Sequence, residues 1–146
     1  MSRIISILLI TLFTGSNVWI TDFGKAKQIA ISDHKLILLN FSGSDWCGPC
    51  MRTKKEIFDT DVFNDYASNH LVLVNADFPR LKKNKLDDAV TKSNEALADI
   101  YNQNGEFPLT LLLDDKGKVL KQWVGFPDKT PSQFIEEIKA NCNGTK

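Results

Sequence analysis

Apolar and polar positions along the chain alternate between short continuous runs and stripes with helical spacing. Leu36-Ile37-Leu38-Leu39, within residues 35–41, reads as a buried strand. Leu71-Val72-Leu73-Val74 is a second apolar run, ending at Asn75-Ala76-Asp77, and Leu109–Leu113 is a third. A fourth strand over residues 118–124 returns from the third through Asp114-Asp115-Lys116-Gly117, a hairpin turn. Helical stripes fill the intervals. Thr21 is placed to cap a helix over residues 22–31, with Phe23, Ala26, Ile29 and Ala30 on one side. Residues 51–58 are helix-compatible, and Thr60-Asp61 opens a helix to Asn69 with Val62, Phe63 and Tyr66 as its apolar side. Residues 91–101 follow, with Leu97, Ile100 and Tyr101 apolar. Thr130-Pro131-Ser132-Gln133 starts the last helix with capping-box spacing and a proline at the first helical position; Phe134, Ile135 and Ile138 form its inner side. Strands and helices of these lengths, in this alternation, predict an α/β sandwich with some parallel strands.

Composition narrows the function classes. A chain of 146 residues suffices for one domain with a real core, and 42% hydrophobic with 25% charged residues is ordinary for a globular protein. The 18 basic and 18 acidic residues cancel, which leaves no footprint for a nucleic-acid partner. Residues 1–16 stand apart. Arg3 is a positive start, Ile4 to Phe13 an apolar run, and Thr14-Gly15-Ser16 a small-residue site, the pattern of a cleavable signal peptide, with an uncleaved anchor and a buried N-terminal strand as the competing readings. The run is about half the ~20 residues a membrane span needs. Residues 17–146 then form a single domain, expected in the periplasm or secreted, where disulfides persist. Residues 78–88 hold Pro79, Arg80, Lys82, Lys83 and Lys85, a short basic connection read as a solvated surface loop.

The chemistry lies in Phe41-Ser42-Gly43-Ser44-Asp45-Trp46-Cys47-Gly48-Pro49-Cys50. Two cysteines, two residues apart, sit where a strand delivers the chain into a helix, with Pro49 in the first helical turn, where proline is tolerated. The unpaired N–H groups of that turn favour a thiolate on Cys47, and the thiolate is the attacking form. Cys50, one turn on, can close a short disulfide and release a bound partner, and Gly48-Pro49 keeps that ring small. The alternatives are a static structural disulfide and half of a zinc site. Zinc wants about four ligands, and beyond the pair the chain offers Cys142, His34 and His70, none in a second paired spacing. A redox pair fits best. Cys142 reads as a tail thiol without catalytic duty.

Trp46-Cys47-Gly48-Pro49-Cys50 resembles the active-site motif of the thioredoxin family residue for residue, and the Gly-Ser-Asp lead-in is similar to that of secreted bacterial thioredoxin-like proteins. The likeness runs from about Trp19 to about Ala140. It implies a thioredoxin-like α/β fold, a central mixed β-sheet with helices on both faces. It implies thiol–disulfide exchange with protein thiols and disulfides, with no metal or organic cofactor beyond the Cys47–Cys50 disulfide. Gly48-Pro49 resembles the reducing members, so the expected direction is that of a reductase, supplied by a membrane electron donor and acting as a monomer. A disulfide oxidase or isomerase is the alternative, and a polypeptide-holding module the reading from a different class. The resemblance also makes Pro108 a cis-proline beside the cysteines. A proline at a strand start has no N–H to pair, and Phe107 before it could then bind an extended substrate segment by strand addition. Family members usually carry a smaller or β-branched residue at the Phe107 position. Trp46 would pack on the motif helix and shield the cysteines. Allowing for one extra residue in the lead-in, Asn40 stands where thioredoxin has a buried acid that moves the proton of the second cysteine. An amide cannot accept that proton near neutral pH, which leaves water, or another carboxylate, with Asp45 nearest in sequence.

Overall fold

The computed structural model describes residues 17–142, so residues 1–16, expected from their sequence to be a signal peptide, lie outside the described residues. Four strands form one mixed sheet: β1 (Leu36–Ser42), β2 (Leu71–Asp77), β3 (Leu109–Leu113) and β4 (Val119–Val124), in the order β2-β1-β3-β4. β1 runs parallel to β2, with Leu36 opposite Leu71, and antiparallel to β3, with Phe41 opposite Leu109. The parallel β1–β2 pair requires a long crossover, and α2 (Gly48–Thr53) with α3 (Asp61–His70) supplies it. α1 (Phe23–Asp33), α4 (Asp88–Tyr101) and α5 (Pro131–Asn141) complete the set.

Because side chains alternate along a strand, β1 feeds two cores. Ile37, Leu39 and Phe41 point toward α1 and α4, where Ala26, Ala30 and Leu97 meet them. Leu38 points to the opposite side, where Ile57, Phe63, Phe134 and Ile138 close over it. The continuous apolar runs of β1 and β2 are therefore strands covered on both faces. Ahead of α1, Ile20 bridges to β2, its N–H donating to the Leu73 carbonyl (2.9 Å) and its carbonyl accepting from Asn75 (3.0 Å).

Several boundaries differ from the sequence reading. α1 is capped by Asp22, whose carboxylate accepts from the Lys25 N–H (2.9 Å), rather than by Thr21 one residue earlier. α4 begins at Asp88 because Asp87 caps it, three residues ahead of the expected start. Ile100 and Val62 face outward (66% and 51% exposed); the inner stripe of α4 runs through Asn94 and Leu97, and that of α3 through Phe63 and Ala67. The stretch after the cysteines is not one α-helix. α2 gives way at Lys54 to a π-helical turn, Lys54–Phe58, which directs Ile57 and Phe58 into the core. α5 has both halves of the expected capping box, Thr130 bonding the Gln133 N–H and the Gln133 side chain bonding the Thr130 N–H.

Candidate active site

β1 ends at Ser42 and the chain folds back on Gly43, whose carbonyl accepts from the N–H groups of Trp46 (3.2 Å) and Cys47 (2.9 Å). That turn makes Cys47 the N-cap of α2. Its Sγ accepts from the Cys50 N–H at 3.2 Å, one of the orphan donors of the helix start. Cys47 and Cys50 are joined as a disulfide, their Cα atoms 5.2 Å apart, and both are nearly buried. Gly48 and Pro49 between them are exposed, Pro49 within the first turn of α2.

Trp46 is half-buried and held by several contacts. A Cβ on Gly43 would lie 2.2 Å from the indole, so the ring occupies space that only glycine leaves open. The indole N–H donates to the Phe78 carbonyl (2.7 Å), and the Arg80 guanidinium lies over the ring, 3.8 Å from its centre. Phe107 meets Trp46 edge-on at 5.3 Å and Phe78 at 5.5 Å. These groups line an open cleft with Pro79 and Gly105. The Phe107–Pro108 peptide bond is cis. The Pro108 carbonyl is taken by the Gly125 N–H (2.8 Å), whereas no backbone hydrogen bond is made by Phe107 among the described residues.

The Asp45 carboxylate is bonded to the basic connection rather than to the cysteines. It accepts from the N–H groups of Arg80 and Leu81 (2.9 Å each) and from the Asn84 side chain (3.0 Å). These bonds, led by that from Arg80, hold its carboxyl below the ordinary carboxylate range. A carboxylate so engaged is a poor proton acceptor for Cys50. Its work is mechanical: it pins the basic connection, which includes a short 3-10 turn at Lys82–Asn84, against the motif.

Beneath Cys50 the second core becomes polar. Thr110 donates to the Asn40 side-chain carbonyl (3.1 Å), and the Asn40 amide donates to Asn75 (3.0 Å). The Ser42 hydroxyl lies 3.1 Å from the Asn75 oxygen and 3.0 Å from Asp77, which also receives the N–H and hydroxyl of Ser44. Asn40, Ser42 and Thr110 are buried. A cavity of about 200 Å³ lies alongside, bounded by Cys50, Asn40, Ser42, Ser44, Lys54 and Trp19 among others. Its lining is mostly apolar, from Trp19, Met51 and Phe58, but Asn40, Ser42, Ser44 and Asn75 border it with polar groups and it is roomy enough for water. Read from sequence, Trp19 has no place in the site, and Gly43 has one only as part of the Gly-Ser-Asp lead-in. Gly43 had a signal, a glycine three residues before a tryptophan; Trp19 had none, because its place depends on how the N-terminal segment lies along β2.

The other cysteine and the histidines lie elsewhere. Cys142 caps α5 and its Sγ donates to the Ile138 carbonyl (3.1 Å), while burial pushes its thiol up. His34 ends α1 in a left-handed conformation and His70 stacks on Tyr66 at 4.4 Å. Among the described residues no three His, Cys, Asp or Glu side chains converge as a metal-ligand set, and no helix is long and apolar enough to cross a membrane.

A mixed sheet with helices on both faces, a Cys-X-X-Cys disulfide at a helix start and a cis-proline before a strand together define a thioredoxin-type redox protein. The profile of the thioredoxin-like domain family matches residues 23–140, and the chain belongs to that family. With its Cys47–Cys50 pair, it is a thiol–disulfide oxidoreductase. It is 30% identical over 125 residues to the disulfide bond reductase DsbH of Chlamydia pneumoniae, covering 86% of this chain and 73% of that protein. It is 29% identical over 123 residues to the thioredoxin-related protein DsbJ of the same organism, of which it spans about a third (34%). Among solved structures, a DsbH oxidoreductase superposes with a TM-score of 0.80 at 26% identity, covering 98% of this chain and 96% of that one. A thioredoxin from Thermus thermophilus shares the fold, with a TM-score of 0.63 at 14% identity over 88% of each chain.

Proposed function

We propose that this oxidoreductase works as a reductase of protein disulfides outside the cytosol, with Cys47 as attacking and Cys50 as resolving residue. The observation that carries the reading is the Cys50 N–H directed at Cys47 Sγ (3.2 Å) in the first turn of α2. The same donor stabilises a thiolate there once the pair is reduced. In the reduced protein the Cys47 thiolate attacks one sulfur of a substrate disulfide; that S–S bond breaks and the departing substrate thiolate takes up a proton. Cys50, deprotonated, then attacks Cys47 Sγ in the mixed disulfide, and the second substrate sulfur leaves as a thiol. Two electrons and two protons pass to the substrate, and the Cys47–Cys50 disulfide is regenerated. The unpaired backbone of Phe107 offers an extended substrate segment one strand edge, with Trp46 and Pro108 bounding the site. The signal-like pattern of residues 1–16 supports the compartment, where a membrane electron donor would return the pair to the dithiol. The relative named a disulfide bond reductase supports the direction.

Equilibration of the Cys47–Cys50 pair with defined thiol buffers tests the direction. The expected potential is near that of thioredoxin, about −270 mV. A potential of about −120 to −180 mV would instead make the protein a disulfide donor or isomerase.

A further inference from the structure

The chain as a whole is neutral, with 18 basic and 18 acidic residues, yet residues 78–86 contain Arg80, Lys82, Lys83 and Lys85 and no acid. The segment is the exposed surface connection expected from sequence at residues 80–85, and it is also tethered. Asp45 ties it to the redox motif through two backbone N–H groups and Asn84. The Arg80 guanidinium carbon lies over the ring of Trp46, the residue next to Cys47. Asp45 spends its carboxylate on those N–H groups, and Lys85 pairs with Asp88 (3.2 Å). Among the described residues Lys82 and Lys83 enter no ion pair, and both are exposed. The cleft between this segment and the open strand edge is bounded by Arg80 on one side and Phe107 on the other.

We propose that the substrate segments this reductase selects are acidic, with Arg80, Lys82 and Lys83 receiving carboxylates that flank the target disulfide. The inference rests on the reductase reading above. A segment paired with Phe107 runs past the cleft that Arg80 also lines, and Lys82 and Lys83 follow Arg80 two and three residues on. Charges in such exposed positions act mainly on encounter and orientation, and salt screens them with a Debye length of about 8 Å at physiological ionic strength. The preference therefore belongs in KM and weakens with salt. Folding the cationic segment against Trp46 gives it a fixed place relative to Cys47, which a free basic tail would lack.

The test uses three disulfide peptides alike except for Glu, Gln or Lys on either side of the cysteine. Turnover by the full protein, returned to the dithiol by dithiothreitol whose direct reaction with each peptide is subtracted, is followed at about 20 mM and about 300 mM salt, conditions that bracket the Debye screening range. At low salt the expected kcat/KM for the Glu peptide exceeds that for the Gln peptide about three- to tenfold, through KM. The Lys peptide falls below both, and the differences shrink to within about twofold at high salt. The double variant Lys82→Glu, Lys83→Glu, which leaves the Trp46 contacts in place, is expected to reverse the order of the Glu and Lys peptides. Equal kcat/KM for the three peptides at low salt would overturn the charge proposal and leave the reductase reading standing. Failure to reduce even the Gln peptide would remove both.

Discussion

Asn40 is the residue whose chemistry departs furthest from the thioredoxin motif it adjoins. It is not an isolated polar side chain in a core. Its oxygen accepts from Thr110, its amide donates to Asn75, and the cavity beside it also touches Cys50. An amide holds this network together but cannot take a proton from Cys50 near neutral pH, so we propose that water entering that cavity is the acceptor. Asn40→Asp would put a carboxylate there, with its pKa raised by burial into the range useful for proton transfer. It would also face Asn75 oxygen to oxygen until that amide turned over. The expected outcome is a shorter-lived mixed disulfide, most clearly at low pH, measured by quenching during substrate turnover. It should come with a loss of about 1–3 kcal/mol in stability from the disturbed hydrogen bonds. An unchanged lifetime would show that water already moves the proton fast enough.

Elements formed largely where local pattern and capping agree. The strand runs at Leu36–Ser42, Leu71–Asp77 and Leu109–Leu113 were legible because apolar continuity and turn residues coincide there, and α5 because Thr130, Pro131 and Gln133 form its start. The two cysteines, Trp46 and Pro108 were legible from the motif and its resemblance. What sequence could not show were arrangements settled between elements. The π-helical turn at Lys54–Phe58 answers to the core that Ile57 and Phe58 enter, and Asn94 sits on the inner face of α4 because its amide bonds the Asp77 carbonyl (2.9 Å). The largest such surprise is Asp45. An acid next to a tryptophan looked available for proton transfer, while its partners lay 35 to 39 residues away in the basic connection. Asp45→Ala should free that connection without unfolding the sheet. Hydrogen exchange at the Arg80 and Leu81 amides is expected to speed up by at least tenfold, with amides of β1 and β3 unaffected. Because the Asp45 carboxyl sits below its ordinary range, the wild-type protein should hold the connection at pH 5 and release it only in stronger acid.

Across the molecule, two apolar cores of similar size grip one sheet, and most ion pairs are exposed pairs worth little individually. Glu137 is the exception. It accepts from the Trp123 indole N–H (2.6 Å) and pairs with Lys129 (2.9 Å), and these partners, the indole first, lower its carboxyl pKa. A group whose folded pKa lies below its unfolded one adds stability above the unfolded value and loses it as pH falls through the folded one. Melting temperatures from pH 7 to pH 3 should therefore decline below about pH 4.5, as that linkage requires. Glu137→Gln should flatten part of that decline and lower Tm at pH 7 by about 2–4 °C. An unaltered acid slope would assign the decline to other carboxylates. The hydrogen-bonded row from Thr110 through Asn40 and Asn75 to Ser42 and Asp77 has a bearing beyond the cysteines. It crosses β3, β1 and β2, three strands whose leucine and valine runs are otherwise nearly interchangeable from one position to the next. A slide of β1 by one residue would turn Asn40 into the opposite core and bring Phe41 to face Thr110 and Asn75, stranding their polar groups without partners. The hydrocarbon parts of these strands reward any alignment that buries them; the amides and hydroxyls accept a single one.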